Sequence, residues 1–227
     1  METSHLTSES VQNYLKAIYH LDPDRQGATT QTLAASLGVS APGVTKMLQY
    51  LDRHQLVEYV RYQPVRLTPV GERIALEVVR HHRLLESYLV ESLGYGWERV
   101  HAEAERMEHH ISEDFEDCIE RLLGFPTHDP HGDPIPTRDG VVPARITATL
   151  EDQTRGANMV VRRVDDEDPE LLLYLGERGL RPGTSVRLVD REPFGGALHL
   201  EAGGRAVSVS PQAAQHVFVE VAEPGRD

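Results

Sequence analysis

The apolar residues at the start of the chain predict an amphipathic helix from about Thr7 to Leu21. They recur every three or four residues, which is the spacing of one helical face: Val11, Tyr14, Leu15 and Ile18. The polar stretch Asp22-Pro23-Asp24 is expected to end this helix, because proline and aspartate favour turns.

A short helix, a glycine and another helix are predicted next. Thr29 or Thr30 is placed to cap the short helix, and Gly38 is placed to break it. Ser40 is placed to cap the following helix, whose inward-facing apolar positions are Val44, Met47, Leu48 and Leu51. Two helices joined by a tight, glycine-containing turn are typical of a helix-turn-helix.

Beyond Leu56 two short segments predict a hairpin. The segments LVEYV and VRLT flank the turn residues Arg61-Tyr62-Gln63-Pro64, an arrangement expected for the wing of a winged helix-turn-helix. Thr68 and Pro69 then form a cap followed by a proline at the first helical position. They predict a long helix whose apolar positions include Ile74, Val78 and Leu85.

A further helix is predicted from roughly Trp97 to Leu123. The stretch from Gly124 to Pro143 contains five prolines and three glycines, so a loop or linker is expected there. After it, six segments alternate like strands around one helix at PELLLYLGERG, and they predict a small, partly open barrel: ARITATL, NMVVRRV, TSVRLVD, ALHLEA, RAVSVS and HVFVEV. The expected fold is mainly α with a β-rich C-terminal domain.

Composition indicates a soluble, globular protein. Hydrophobic residues make up 39% of the 227 residues and charged residues 26%, and no run approaches the ~18 apolar residues of a membrane span. The segment METSHLTSES lacks a basic region followed by an apolar core, so we expect no secretory signal. The single cysteine, Cys118, excludes an internal disulfide and fits a reducing compartment. We therefore expect a cytoplasmic protein without a membrane partner.

Charge is unevenly distributed along the chain. The net charge of −13 argues against a nucleic-acid partner for the chain as a whole, but residues 1–73 carry equal numbers of acidic and basic side chains. Residues 74–140 hold 15 acidic residues against 6 arginines, together with seven of the 12 histidines. A neutral region followed by an acidic, histidine-rich one favours two separate tasks, polyanion binding and cation binding.

The histidines and glutamates of the acidic region have the spacing of metal ligands. On a continuous helix His101, Glu105, Glu108 and His109 would lie within ~100° of one surface. Beside them runs a separate apolar stripe: Ala104, Met107, Ile111, Phe115, Cys118 and Leu122. His82 and Glu86 form a second pair one turn apart, and imidazole with carboxylate suits manganese, iron, cobalt, nickel or zinc. A solvated acidic face with incidental histidines has the same spacing, so the residues alone leave both interpretations open.

The chain resembles the diphtheria toxin repressor family, which includes iron-dependent regulators and regulators of manganese transport. The resemblance covers nearly the whole chain and rests on these segments: NYLKAIYHL, SAPGVTKMLQYLDRHQLV, LTPVGERIA, RHHRLLESYL, VHAEAERMEHHISED and PHGDPIP. It implies a winged helix-turn-helix DNA-binding domain in 1–73, a helical metal-binding and dimerisation domain in 74–140, and an SH3-like, ferrous-transport-A-type domain in 141–227. It also implies a homodimeric repressor of double-stranded operator DNA, not an enzyme.

The resemblance further implies two metal sites. Glu105, Glu108 and His109 correspond to ligands of the primary, DNA-activating site, and the N-terminal ligand of that site falls on Asn13. The ancillary site corresponds to His82, Glu86 and His101 with a carboxylate from the C-terminal domain. Asp166 is the preferred choice for that carboxylate, and Glu170 is the fallback.

The same resemblance assigns the DNA contacts. Ser40, Pro42 and Lys46 correspond to recognition-helix positions that face the major groove. The Ser40 hydroxyl can bond a phosphate or a base, Pro42 can touch a thymine methyl, and Lys46 can donate to guanine. Arg61 and Tyr62 of the wing are expected to reach phosphates, contacts that position a domain without specifying sequence.

Three departures from the family's patterns bear on the choice of metal. Glu105 stands where iron-type members have cysteine and manganese-type members have glutamate. Asn13 stands where iron-type members have methionine and manganese-type members have aspartate. Lys16 stands where manganese-type members have a glutamate, and this replacement argues against a binuclear site of the manganese type. Oxygen-rich ligands favour Mn(II), with Fe(II) as the alternative, and Co(II), Ni(II), Zn(II) or Cd(II) are expected to bind in vitro.

The prediction is therefore a manganese-activated repressor of metal-uptake genes. A metallohydrolase is a more distant alternative, since it would need an open coordination position, a general base and a substrate cleft beyond the His/Glu cluster. A DNA-binding regulator with structural histidines and an organic effector is another, and binding assays with metals would distinguish it. A metal-buffering protein is the weakest alternative, because it would not need a winged helix.

Overall fold

The computed structural model describes residues 8–23 and 25–222, which divide into two compact units. The first unit holds the described residues up to His81 together with Glu108–Ile111 and Pro136–Val141. The second unit holds His82–Met107, Ser112–Ile135 and the described residues from Val142 onward. Thr7 and Asp24, at the predicted borders of the first helix, lie outside the described residues. No helix in 8–23 or 25–222 is long and apolar enough to cross a membrane.

Three helices form most of the first unit: α1 (Glu9–Leu21), α2 (Thr30–Leu37) and α3 (Ala41–Arg53). Thr29 caps α2 through a reciprocal box with Thr32, and Gly38 ends that helix in the left-handed conformation at φ 64°. Ser40 caps α3, its hydroxyl accepting from the Gly43 amide at 3.3 Å. The helix-turn-helix prediction is thus confirmed, and its apolar faces meet in one core that includes Leu15, Ile18, Leu33, Val44, Leu48 and Leu51.

The wing is a very short hairpin. Strands β1 (Val57–Glu58) and β2 (Arg66–Leu67) pair antiparallel, Val57 opposite Leu67. Thr68 then caps the long helix α4 (Pro69–Glu91), its hydroxyl accepting from the Gly71 amide at 3.1 Å. Helix α4 begins in the first unit and ends in the second.

The single helix predicted from Trp97 to Leu123 is wrong. The structure has two helices, α5 (Val100–Met107) and α6 (Glu113–Leu122), separated by a turn. Ser112 caps α6, and the Glu108 carbonyl is hydrogen-bonded to the His81 ring at 3.0 Å rather than continuing the helix. Consequently Glu108 and His109 lie beyond the end of α5, and the predicted continuous apolar stripe is also wrong: Phe115, Cys118 and Leu122 on α6 are exposed.

The C-terminal region is a five-stranded antiparallel sheet in the order β6-β5-β4-β3-β7. Its strands are β3 (Asn158–Val164), β4 (Ser185–Arg191), β5 (Leu198–Ala202), β6 (Arg205–Val209) and β7 (Val217–Val221). Helix α7 (Pro169–Glu177) connects β3 to β4, and a short helix α8 (Pro211–Ala214) precedes β7. One side of the sheet buries a core that contains Met159, Val161, Leu172, Leu188 and Val219.

Two expectations for the region before the sheet are corrected. ARITATL is not a strand: most of it is exposed, and it makes only an isolated bridge between Thr149 and Phe218. The stretch 124–143 lacks helices and strands and is therefore the predicted loop, but it is not the alternative, a linker. Residues 131–135 within it are buried, because they lie against the end of β3, where the Val164 amide donates to the His131 carbonyl at 2.9 Å.

Candidate metal centres

The second unit contains a buried cluster of imidazoles and carboxylates. His82 and Glu86 lie one turn apart on α4, His101 lies on α5, and Asp166 follows β3. Each offers a ligand atom, and these four atoms all lie within 4.8 Å of one another. We call these four residues together with His131 the second-unit cluster.

Glu86 is the hub of this cluster. Its Oε1 lies 3.0 Å from His82 Nε2 and 3.4 Å from His101 Nδ1. His101 Nδ1 also lies 3.2 Å from His82 Nε2 and 3.5 Å from Asp166 Oδ2. Glu86 is fully buried and His82 nearly so, whereas His101 and Asp166 are half-buried. The carboxylate chosen from the sequence, Asp166, therefore lies in the cluster, while the fallback Glu170 is exposed in the first turn of α7.

His131 belongs to the cluster and was missed by the sequence reasoning. Its Nε2 donates to the Trp97 carbonyl at 2.8 Å, because a carbonyl oxygen can only accept. Its Nδ1 therefore turns towards Glu86 Oε2 at 3.7 Å and Asp166 Oδ2 at 3.9 Å. A histidine that gives one ring N–H to a backbone carbonyl and presents the other nitrogen to carboxylates has the arrangement of a metal ligand.

The position of His131 depends on a tight turn. Asp129 Oδ1 accepts from the amides of His131 and Asp133 at 2.8 and 3.0 Å. Burial raises the pKa of Asp129 to about 8, and Glu86 and Asp133 contribute in the same direction. Gly132 follows at φ +91°, and a Cβ there would lie 1.9 Å from the Arg162 carbonyl oxygen. Only glycine allows the turn to approach β3 so closely.

Opposite charges shift the pKa values within the cluster. Burial alone would raise the pKa of Glu86, but His82, His101 and His131 hold it well below its usual range. Burial disfavours the charged imidazoles, yet the carboxylates outweigh it and raise the pKa of His101 to about 10 and that of His131 to about 9. A divalent cation would replace those protons as the partner of the carboxylates.

The second-unit cluster fits a divalent metal. Among the described residues neither Glu86 Oε2 nor His131 Nδ1, both buried, has a hydrogen-bond partner, although the two atoms are only 3.7 Å apart. Buried polar atoms are nearly always satisfied in folded proteins. A cation held between these two atoms would satisfy both, and the nitrogen and oxygen ligands suit a first-row transition metal.

A second cluster lies in the first unit and joins α1 to the turn after α5. His109 Nε2 lies 2.8 Å from Asn13 Oδ1 and 3.3 Å from Glu108 Oε1. On its other side, His109 Nδ1 lies 2.7 Å from Gln12 Oε1. Glu108 is buried and its carbonyl meets the His81 ring. We call Asn13, Glu108 and His109 the first-unit cluster.

The first-unit cluster also fits a divalent metal. Burial lowers the pKa of His109, as does the charge of Lys16, while Glu108 raises it; the net shift is downward and favours a neutral ring. A neutral imidazole has one N–H, and Gln12 accepts it if Nδ1 carries the proton. The Nε2 lone pair then faces two oxygens, from Asn13 and Glu108. One imidazole nitrogen and two oxygens form a donor set that suits a divalent cation.

The other residue assigned to the primary site lies in the second unit. Glu105 is on the exposed side of α5, one turn before Glu108 along the chain. Its role as a ligand stays a prediction.

The residues assigned to DNA contact are all exposed. Ser40, Pro42 and Lys46 lie at the start and on the outer face of α3. Arg61 and Tyr62 form the tip of the wing, with the Arg61 guanidinium 4.9 Å from the Tyr62 ring centre. Tyr62 is 88% exposed and has φ +68°, so the turn holds this large ring out into solvent.

Three family models match the chain in succession. Residues 6–65 match the iron dependent repressor N-terminal DNA binding domain. Residues 68–137 match the iron dependent repressor metal binding and dimerisation domain, and residues 148–221 match the FeoA domain.

Similar proteins extend over almost the whole length. The iron-dependent repressor of Mycobacterium tuberculosis is 32% identical over 224 residues, which cover 93% of this chain and 97% of that protein. The diphtheria toxin repressor of Corynebacterium diphtheriae is 27% identical with the same coverage of both chains. A manganese-dependent transcriptional repressor solved in complex with manganese is 37% identical, with a TM-score of 0.84 over 93% of this chain and 99% of that one.

Proposed function

The chain belongs to the diphtheria toxin repressor family of metal-dependent transcriptional repressors, and we propose that this member represses metal-uptake genes in response to Mn(II). The observation that carries the choice of metal is the donor set of the first-unit cluster. Asn13 and Glu108 offer oxygen and His109 offers nitrogen. Glu105 would add a carboxylate. Manganese is better suited by such a set of oxygen and nitrogen ligands than by a set that contains a thiolate.

Iron is the second candidate. The iron-dependent repressor of M. tuberculosis is 32% identical to this chain, and Fe(II) accepts the same nitrogen and oxygen ligands. Co(II), Ni(II) and Zn(II) would bind in vitro, because affinity for such ligands rises from Mn(II) towards Cu(II) along the first row, whatever metal is sensed in the cell. Cd(II) would also bind in vitro.

The first-unit cluster would act as the switch. Asn13 lies on α1 and Glu108 and His109 lie in the turn after α5, so ligands nearly a hundred residues apart in sequence meet at one point. When bound, the metal supplies a divalent charge that holds these ligands together. The ligands would then hold α1 in the arrangement that favours DNA binding. The metal can shift the equilibrium towards this arrangement only by as much as it binds this arrangement more tightly than the alternative.

The second-unit cluster would be the ancillary site. His82, Glu86, His101 and Asp166 are its proposed ligands, and we add His131 because of its unpartnered Nδ1. Such a site would stabilise the second unit and have a smaller effect on DNA affinity.

We propose that the protein acts in the cytoplasm as a homodimer on double-stranded operator DNA, with domains at 1–73, 74–140 and 141–227. Ser40, Pro42 and Lys46 would contact base edges or nearby phosphates in the major groove. Arg61 and Tyr62 would contact phosphates. Half-sites one turn apart require two recognition helices at a fixed separation, which a dimer provides.

The test is operator occupancy in cells grown with added Mn(II) or Fe(II). The wild type should occupy its operator with Mn(II), and Glu105→Cys should shift the response towards Fe(II). Glu103→Cys is the matched control, because Glu103 lies on the same helix and its 2.9 Å ion pair with the exposed Arg106 is of the surface type that contributes little to stability. A wild type that responds to iron alone, or an unchanged metal preference in Glu105→Cys, would contradict the manganese assignment.

A further inference from the structure

Lys16 already holds one ligand of the first-unit cluster. It lies on α1, one turn after Asn13, and its Nζ is 2.5 Å from Glu108 Oε1. The Lys16 side chain is 12% exposed and that of Glu108 is fully buried. This is therefore a nearly buried ion pair, unlike a solvated surface pair, and its partners are 92 residues apart.

The oxygen that Lys16 holds is the one that faces the other ligands. Glu108 Oε1 also lies 3.3 Å from His109 Nε2, whose own neighbour is Asn13 Oδ1 at 2.8 Å. In this arrangement a divalent ion bound by His109, Asn13 and Glu108 would meet Glu108 through this same oxygen. The Lys16 ammonium and the metal would therefore share this buried Glu108 oxygen or compete for it.

We propose that Lys16 is a competing cation built into the first-unit cluster, which neutralises Glu108 in the metal-free protein and sets the Mn(II) concentration at which the cluster fills. The inference rests on the proposed function, since it assumes that this cluster binds the activating metal.

Two physical consequences follow. Removing one partner of a buried ion pair is strongly destabilising, so Lys16 stabilises the metal-free first unit. A positive charge close to a bound divalent ion also opposes binding, so Lys16 lowers metal affinity. Lys16 would thereby make the repressor insensitive to trace metal without making its metal-free form unstable.

The experiment measures Mn(II) binding to the full-length dimer through the electron paramagnetic resonance signal of free Mn(II). Glu108→Gln identifies which binding event belongs to the first-unit cluster. At that site Lys16→Met should bind Mn(II) at least tenfold more tightly than the wild type, about 1.4 kcal/mol. Lys16→Arg keeps the charge and should stay within about threefold of the wild type, since the pairing persists.

Lys46→Met is the matched control, because Lys46 is the only other lysine of the chain and is exposed on α3. It removes the same charge and should leave Mn(II) affinity unchanged. A second readout is urea unfolding: metal-free Lys16→Met should be less stable than the wild type, and saturating Mn(II) should restore it. If Lys16→Met does not fold without metal, Lys16→Gln replaces it, since an amide can hydrogen-bond to Glu108 without the charge.

The outcomes distinguish the role of Lys16 from the assignment of the first-unit cluster as a metal site. Unchanged or weaker Mn(II) binding in the uncharged Lys16 variant overturns the role of Lys16, as does an equal gain in Lys46→Met. If Glu108→Gln leaves every Mn(II) binding event intact, the site assignment under the proposed function fails instead.

Discussion

His131 Nδ1 lies 3.7 Å from Glu86 Oε2, and neither of these buried atoms has a hydrogen-bond partner within residues 8–23 and 25–222. The ring is held in this orientation by the Trp97 carbonyl, which accepts from Nε2, and the indole stacks on the imidazole at 5.7 Å. Trp97 is the only tryptophan of the chain, so it is a built-in fluorescent reporter for this part of the second-unit cluster.

Replacing His131 by glutamine should weaken metal binding at the second-unit cluster by roughly tenfold or more, because a ligand and its orienting hydrogen bond are lost together. Titration of Mn(II) should change Trp97 emission in the wild type and have little effect in His131→Gln. His128→Gln alters an exposed histidine of the same loop and should behave like the wild type. If His131→Gln retains the full fluorescence response at wild-type concentrations, His131 is not a ligand.

Gly132→Ala should destabilise the second unit by about 1–3 kcal/mol more than Gly183→Ala does. Both glycines have φ near +90°, so alanine is strained at each, but only at Gly132 would the Cβ meet a backbone atom, 1.9 Å from the Arg162 carbonyl oxygen. A Cβ added at Gly183 would have no non-neighbouring heavy atom of the described residues within 4 Å. Urea unfolding measures both variants, and equal losses of stability would mean that the close approach to β3 does not constrain the turn.

The sequence predicted local structure well wherever one element buries its own apolar face. Thr29, Gly38 and Ser40 cap the helices of the helix-turn-helix as their positions in the sequence indicate. The break between α5 and α6 was missed, because it depends on the Glu108 carbonyl meeting the His81 ring, a contact between distant segments.

The same limit explains the site residues. His82 and Glu86 could be paired from their spacing on one helix, and Asp166 followed from the family resemblance. His131 lies among prolines and glycines with no periodic spacing, so only the fold brings it to Glu86. Its one indication in the sequence was PHGDPIP, a segment too rich in turn residues to reveal a buried side chain.

Glu108→Ala and His109→Ala should abolish the metal activation of DNA binding, because each removes a side chain at the point where α1 meets the turn after α5. His82→Ala and His101→Ala should have milder effects, since the second-unit cluster is proposed to stabilise rather than switch. Operator binding across a Mn(II) titration distinguishes the sets. Equal losses for both would show that the ranking of the two clusters is wrong, and circular dichroism of each variant checks that it is folded.

Lys46→Ala should cost ~1–3 kcal/mol of operator affinity and relax the preference for one sequence, because Lys46 is proposed to read a base. Arg61→Ala should weaken binding to all duplexes about equally and flatten the salt dependence, as expected for a phosphate contact. Competition between operator and random duplex at several salt concentrations measures both effects. Interchanged results would mean that the roles of α3 and the wing are reversed.

The central claim is that metal controls DNA binding, and it is tested most directly by the affinity of the thoroughly chelated protein for its operator. The operator is first selected from a pool of random duplexes with Mn(II)-loaded protein, and fluorescence anisotropy then follows its binding with and without Mn(II). We expect weak, salt-sensitive binding by the chelated protein and at least tenfold tighter binding with Mn(II), about 1.4 kcal/mol of coupling. Full operator affinity in the absence of metal would contradict it.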